Sequence, residues 1–561
     1  MELKSSYLHI LTELKEVRDK HHISHDLFLA IEKTEKEINS FIVKIPVIGG
    51  FNAGKSSLIN AFLHENVLPV EITPETAIAA EIKYGDNKVV AHKLDGETQT
   101  FPLEQIRQID ANTYKYIEVY MENKQIHQLG DMVLVDMPGF DSGIAEHNKA
   151  IFQYLKEGVV FIIVVDCEDG SVKSSVLNFL YELDLYQLNY AVIVNKIDQK
   201  PMNEISEIVG GIKNVIASIS DGVIVETASA RMEGGNDGFV KAVHSFDKEA
   251  IFKKKFQVEL VQLLSRVKMN LEVLLRNSDS DADEIKKRIR DIEKKMKGLD
   301  EKLKQEEVRI QHKIRNEVKS NILRDVQAVL YNESSSLALS AKAGSESFNQ
   351  KVNELIRPVL VMSTNKQLEL TFSELVAKMS GELVDVSQVA QGVTKAGKAL
   401  EGTIARVQDG LEKLAEREDL EGFLKKYEKL YKVSVGSLAI VTGVVAPWLE
   451  LIIFFLPDIL KVFGIGSEER QLEKIKEQLE ANVIPNIIDK IGANIDGNLE
   501  SVKENFLQEL KKEVEAEMQN LAEALKLSID MKEKKENEFA AYIDFLKADI
   551  ARLEKLRENI Q

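Results

Sequence analysis

Eight consecutive residues, Gly49-Gly50-Phe51-Asn52-Ala53-Gly54-Lys55-Ser56, satisfy the pattern G-x-x-x-x-G-K-[ST] in full. The chemistry this spacing allows is phosphate binding. Small residues let backbone N–H groups close around phosphate oxygens, and a helix beginning directly afterwards turns its positive dipole end toward the same anion. In such a loop Lys55 reaches the β- and γ-phosphates and the Ser56 hydroxyl ligates Mg²⁺, with Gly49, Asn52, Ala53, Gly54 and Ser57 as further contacts. Eighty residues after Ser56 comes Asp136-Met137-Pro138-Gly139. An Asp there can hold the Mg²⁺ through water, and the Gly139 N–H can sense a γ-phosphate.

A third motif, Asn195-Lys196-Ile197-Asp198, selects the base. The Asp198 carboxylate can accept both N–H groups on the edge of guanine, for which adenine has no matching donor pair, while the Lys196 stem can cover the base plane. Thr227-Ala228-Ser229-Ala230 follows later and can supply a backbone contact to guanine at Ser229 and Ala230; the other reading is a polar loop. Between the first two motifs a residue that ligates Mg²⁺ in the triphosphate state is expected; Thr76 is the candidate and Thr73 its competitor. The order of these motifs favours GTP over ATP.

Each motif stands at the end of an apolar run. FIVKIPVIG (41–49), MVLVDM (132–137), VVFIIVVD (159–166), YAVIVN (190–195) and VIVE (223–226) alternate with helical patterns. Runs apolar on both faces predict parallel strands covered by helices on each side, hence a doubly wound α/β domain over 41–245. AAEIKYG and KVVAHKL, around Gly85-Asp86-Asn87, read as a hairpin, so the sheet should be mixed though mostly parallel.

Beyond Asp247 strand signals nearly vanish. Ile285, Ile289, Ile292, Met296, Leu299 and Leu303 recur at spacings of three and four, and a second stripe runs from Val483 through Ile495, Phe506 and Met518 to Leu525. These predict long helices burying one face, with breaks at 332–347 and near Pro358. Residues 1–40 read as one further helix. The 91 acidic residues against 73 basic ones give a net charge of −18, which argues against a nucleic-acid partner. The single cysteine, Cys167, excludes an intramolecular disulfide framework and a four-cysteine zinc site, fits a reducing compartment, and reads as an inert core thiol. Adjacent His21 and His22 point about 100° apart on a helix, form no metal pair and read as surface residues.

The set GGFNAGKSS, Thr76, DMPG and NKID resembles the translation-factor-related GTPases, and joined to a large helical region with an apolar tip it resembles the bacterial dynamin-like proteins. That resemblance implies a GTPase using GTP/GDP and Mg²⁺, with 1–40 packing beside a neck, 41–245 as the GTPase domain, 246–432 as the first part of a helical neck and trunk, 433–466 as a membrane tip and 467–561 as returning helices. It also implies self-association through GTPase domains and membrane remodelling. Asn52 matches the asparagine that ligates K⁺ in cation-activated GTPases of the GxPNAGKS type; the other reading is that it only stabilises the loop turn. Phe140 stands where Ras-like GTPases place a water-orienting Gln, so intrinsic hydrolysis should be slow.

The tip expectation rests on residues 433–465, VSVGSLAIVTGVVAPWLELIIFFLPDILKVFGI. The longest charge-free run falls short of the roughly 20 residues a spanning helix needs, and Pro447 interrupts it. Two short segments dipping into one leaflet fit better, with Trp448 at the interface and Phe454, Phe455 and Leu456 buried in acyl chains. Lys425, Lys426, Lys429 and Lys432 precede them and would attract anionic lipid. The expected protein is cytoplasmic and peripherally bound to a lipid membrane. Burial of the same segment inside the helical region is the competing reading, and it would make the chain a regulatory GTPase with a protein-binding scaffold.

Overall fold

The computed structural model describes residues 2–50, 52–70, 78–93, 95–110, 113–139, 160–185, 188–391, 468–534 and 539–560. Thr73, Thr76, Phe140, Trp448, Phe454, Phe455, Leu456 and the whole of 433–466 lie outside the described residues.

Among the described residues nine strands form one sheet: β1 (Val43–Gly49), β2 (Ala80–Tyr84), β3 (Lys88–Lys93), β4 (Thr98–Pro102), β5 (Tyr114–Met121), β6 (Met132–Asp136), β7 (Val160–Asp166), β8 (Asn189–Asn195) and β9 (Ile224–Thr227). Their order is β4-β3-β5-β2-β6-β1-β7-β8-β9. β6, β1, β7, β8 and β9 are parallel neighbours, and β2 also runs parallel to β5, so the expected mixed, mostly parallel sheet is present. The central strands earn their place by composition: Val43, Ile45 and Val47 enter one core while Ile48 enters the other, as buried double-faced strands require.

The expected β2–β3 hairpin is not formed. β5 lies between the two strands, parallel to β2 and antiparallel to β3, with Val119 opposite both Ile82 and Val89. The Gly85–Asn87 link steps over the end of β5, where the Gly85 N–H donates to the Met121 carbonyl (3.2 Å) and Asn87 Oδ1 accepts from the Glu122 N–H (3.0 Å). In β5, Ile117, Val119 and Met121 point into one core while Tyr116, Glu118 and Tyr120 alternate with them. That period of two allows pairing on both edges.

The α-helices among the described residues are α1 (Glu2–His21), α2 (His25–Asn39), α3 (Lys55–Leu63), α4 (Lys124–Leu129), α5 (Ser174–Leu185), α6 (Met202–Ala217), α7 (Asp237–His244), α8 (Lys248–Arg276), α9 (Ala282–Lys313), α10 (Lys319–Asn332), α11 (Ser334–Ala343), α12 (Ser345–Ala390), α13 (Glu468–Gln478), α14 (Ile484–Lys534) and α15 (Phe539–Glu558). The first 40 residues thus form two helices rather than one, split where Ser24 caps α2 by accepting from the Asp26 N–H. α1, α2, α8 and α15 share a core with one face of the sheet. His21, expected at the surface, is fully buried there. Its Nδ1 meets Tyr542 Oη at 3.0 Å and its Nε2 meets Asp549 Oδ2 at 2.8 Å, so it clasps α1 to α15, a partner more than five hundred residues away that local sequence does not reveal.

The second core belongs to α9–α14. Both periodic stripes are buried in it, except that Met296 is partly exposed. α12 runs antiparallel to α9 and α10 through Asp385–Lys295 (3.3 Å), Glu382–Lys302 (2.6 Å), Glu374–Lys313 (2.8 Å) and Ser363–Asp325 (2.6 Å). It is continuous across Pro358, contrary to the expected break. A proline there removes one backbone hydrogen bond, a cost offset by burial of Val352, Ile356 and Leu360 on either side. α12 ends beside the α8–α9 turn, where the buried Asn277 amide donates to the Val273 (2.7 Å) and Ala390 (2.9 Å) carbonyls. The chain re-enters at the opposite end of the bundle: α13 packs on α11, and Tyr331 Oη donates to the Glu480 carbonyl (3.0 Å). From there the 51-residue α14 returns, packs on α9, α10 and α12, and reaches α8, where Asn270 Nδ2 donates to Asn520 Oδ1 (3.0 Å).

Candidate nucleotide site

The carboxyl ends of β1, β6, β7 and β8 carry the site, as expected for an open α/β sheet. β1 ends at Gly49, paired with Val164 of β7; a Cβ on Gly49 would lie 2.3 Å from the Val164 carbonyl oxygen, so only glycine permits this strand approach. Among the described residues of the loop beyond it, Asn52 (64°) and Gly54 (87°) have positive φ. The Ala53 N–H donates to the Gly50 carbonyl (3.1 Å), and Lys55 Nζ folds back over the loop to the Gly49 (3.3 Å) and Gly50 (3.1 Å) carbonyls. Gly54 caps α3 without a side-chain acceptor, leaving the helix's first N–H groups for an anion.

Lys55 is almost entirely buried, and that burial lowers its pKa from 10.5 to about 8 against the opposing pull of Asp136. Asp136, at the end of β6, accepts from Ser56 Oγ at 2.6 Å through Oδ2. Burial pushes its carboxyl above the usual range, opposed by that hydrogen bond and by the Lys55 charge. Its second oxygen, Oδ1, is buried and has no hydrogen-bond partner among the described residues. An orphaned carboxylate oxygen beside a serine hydroxyl is a hard-oxygen donor set that fits Mg²⁺. Gly139 is buried just beyond, in the segment that follows β6.

On the other side a cavity of about 830 Å³ opens, lined by Gly54, Ser57, Asn195, Lys196, Asp198, Ser229 and Ala230 among others. Asn195 Nδ2 donates to the Ala53 carbonyl (2.8 Å), tying the β8 turn to the phosphate loop. Ser229 Oγ donates to Asp198 Oδ1 (2.6 Å) and accepts from the Arg231 N–H (3.2 Å), so the carboxylate is oriented. The Ser229 side chain is therefore a ligand of Asp198, where sequence pointed only to a backbone contact with the base. Lys196 Nζ pairs with Asp166 Oδ2 at 2.6 Å. Asp166 was not singled out by motif; its only signal was an acidic residue closing the apolar run VVFIIVVD. Ser56 and Asp136 do not line the cavity but flank the loop on its phosphate side.

Phosphate loop, oxygen pair and base cavity on this sheet define a P-loop GTPase domain. Residues 45–197 match the model of the dynamin family, and this domain belongs to that family. Similar sequences include Dynamin-like protein A of Bacillus subtilis, 28% identical over 168 residues, which make up 29% of this chain and 14% of that protein. An uncharacterized protein in the xynA 3′ region of Caldicellulosiruptor sp. is 28% identical over 255 residues, 42% of this chain and 62% of that one. The chain thus spans less than two thirds of the length of each of these two relatives. Among solved structures, an oligomerised bacterial dynamin pair, described as sensing and tethering membranes at long range, aligns over 99% of this chain and 94% of that one at 16% identity, with a TM-score of 0.35. No helix among the described residues is long and apolar enough to cross a membrane.

Proposed function

We propose that this protein binds and hydrolyses GTP and couples the reaction to a lipid membrane. The observation that carries the reading is that three hydrogen bonds join the four motifs: Ser56 with Asp136, Asn195 with the phosphate loop, and Ser229 with Asp198. The Asp198 carboxylate accepts the N–H pair of guanine, and the Lys196 methylenes cover the base. Lys55 and the loop N–H groups, with Gly139, hold the β- and γ-phosphates. Ser56 and Asp136, with Thr76, would hold Mg²⁺, which when bound neutralises charge developing between the phosphates. K⁺ beside Asn52 belongs to the same proposal, as does stimulation by pairing of two GTPase domains.

The membrane contact is assigned to 433–466, with Trp448, Phe454, Phe455 and Leu456 inserted. Support comes from chain order: the segment ends within two residues of Glu468, where α13 packs at the end of the bundle opposite the α8–α9 turn. A segment leading into a bundle end is well placed to project from it.

GTP turnover of the full chain should be followed with and without anionic liposomes, at several protein concentrations and in K⁺ or Na⁺. Turnover should rise with lipid, with concentration and with K⁺, and replacing Phe454, Phe455 and Leu456 by Ser should abolish liposome flotation while the fold persists. Unchanged flotation sinks the tip, and nucleotide-dependent capture of a protein without lipid binding would establish a scaffold instead.

A further inference from the structure

The lysine of the Asn195–Asp198 turn is anchored by a carboxylate from another strand. Lys196 has a φ of 63°, in the left-handed region that a lysine adopts only when its surroundings hold it there. Its Cε lies 4.0 Å from where a Cβ on Gly54 would stand, so the stem runs beside the phosphate loop along the base cavity. Its Nζ ends on Asp166 Oδ2 at 2.6 Å, in a pair whose side chains are 25% and 13% exposed. The carboxylate is itself fixed: Asp166 is the last residue of β7, and its Oδ1 accepts from the Glu168 N–H (3.0 Å), capping the turn Cys167–Asp169. β7 pairs with both β1 and β8, the strands that deliver the phosphate loop and the Asn195 turn.

We propose that Asp166 is a positioning residue for guanine-nucleotide binding, pinning the Lys196 ammonium so that the lysine's methylenes stand ready as a wall of the base cavity. This rests on the guanine reading given above. A lysine free at its tip would sample many rotamers, and binding would have to order it. With the tip anchored, that ordering is complete before the nucleotide arrives, and Asp166 acts wholly through Lys196 without touching the base.

The test is a double-mutant cycle on the full chain, read as GDP and inosine diphosphate affinity by titration calorimetry, with the melting temperature of the free protein as a folding control. Asp166→Asn retains an acceptor for the Glu168 N–H and removes the charge. Lys196→Met retains the apolar stem and removes the anchor, without altering the turn cap. Each should weaken GDP binding about three- to fivefold, the range of a partly exposed ion pair, and the double variant should be no weaker than Lys196→Met alone. Inosine diphosphate lacks the amino group that Asp198 reads, so the fold-loss should be the same for both nucleotides. Unchanged affinity in Asp166→Asn, or full additivity in the double variant, overturns the role of Asp166. If the unaltered protein binds neither nucleotide, the guanine reading fails first; if it binds and the cycle is additive, only the present inference fails.

Discussion

Replacing Gly54 by Ala is the sharpest probe of the site. Gly54 has a φ of 87°, and an added Cβ would fall 2.4 Å from Asn195 Nδ2, the atom that donates to the Ala53 carbonyl. Two costs follow. An L side chain in the left-handed region costs about 1–2 kcal/mol. Displacing the Asn195 amide forfeits a buried hydrogen bond of about 1 kcal/mol. The free loop can relax to avoid both, so binding must restore the geometry and bear a loss of about 2–3 kcal/mol, roughly 30- to 150-fold in affinity. Titration calorimetry with GDP measures this directly. In an Asn195→Ala background the clash partner is gone, and Gly54→Ala should then cost only the backbone part, about tenfold. A Gly54→Ala protein that binds GDP within twofold of normal would refute the reasoning.

Two other expectations concern ion and proton. Ser56→Ala removes one of two oxygens flanking the proposed Mg²⁺ position and leaves Asp136 Oδ2 without its donor; the gain in nucleotide affinity between excess EDTA and millimolar Mg²⁺ should shrink by about tenfold or more, about 1.5–3 kcal/mol for a charged hydrogen-bonding group. In the clasp of α1 and α15, burial lowers the His21 pKa below 6.5 against the pull of Asp549, with Lys20 and His22 adding to the lowering. The unfolded chain therefore takes up a proton first as pH falls through about 6.5, and stability drops below that point. The Asp549 carboxyl is also shifted downward: burial raises it, but the hydrogen bonds and charges of Lys20 and His21 outweigh that, so its contribution is intact above about pH 4 and is lost only in stronger acid. His21→Gln should flatten the fall in melting temperature between pH 7.5 and 5.5; a protein that melts identically at both pH values before mutation contradicts the assignment.

Those parts of the domain governed by local chemistry were legible in the amino-acid order. The strands that end at Gly49, Asp136 and Asn195 are apolar on both faces, and each chemical motif starts where such a run stops, so position and role coincided. The dynamin-family resemblance drawn from those motifs holds for residues 45–197. What escaped was non-local. β5 separates β2 from β3 because it can pair on both edges, a property of three strands that no two reveal. Pro358 sits inside a helix because flanking contacts outweigh one missing hydrogen bond. His21 is buried by a helix at the far end of the chain, and Asp166 gains its place only once β7 is set between β1 and β8.

The 51 residues of α14 have a mechanical consequence. At 1.5 Å per residue the rod is about 76 Å long, and it has one end against α8 and the other beside α13. A rigid body of that length amplifies: a tilt of about 5° at the α8 end displaces the other by about 7 Å, more than a full helical turn. Small adjustments around the base of the GTPase domain are thus sufficient to produce large travel at the α13 end of the bundle.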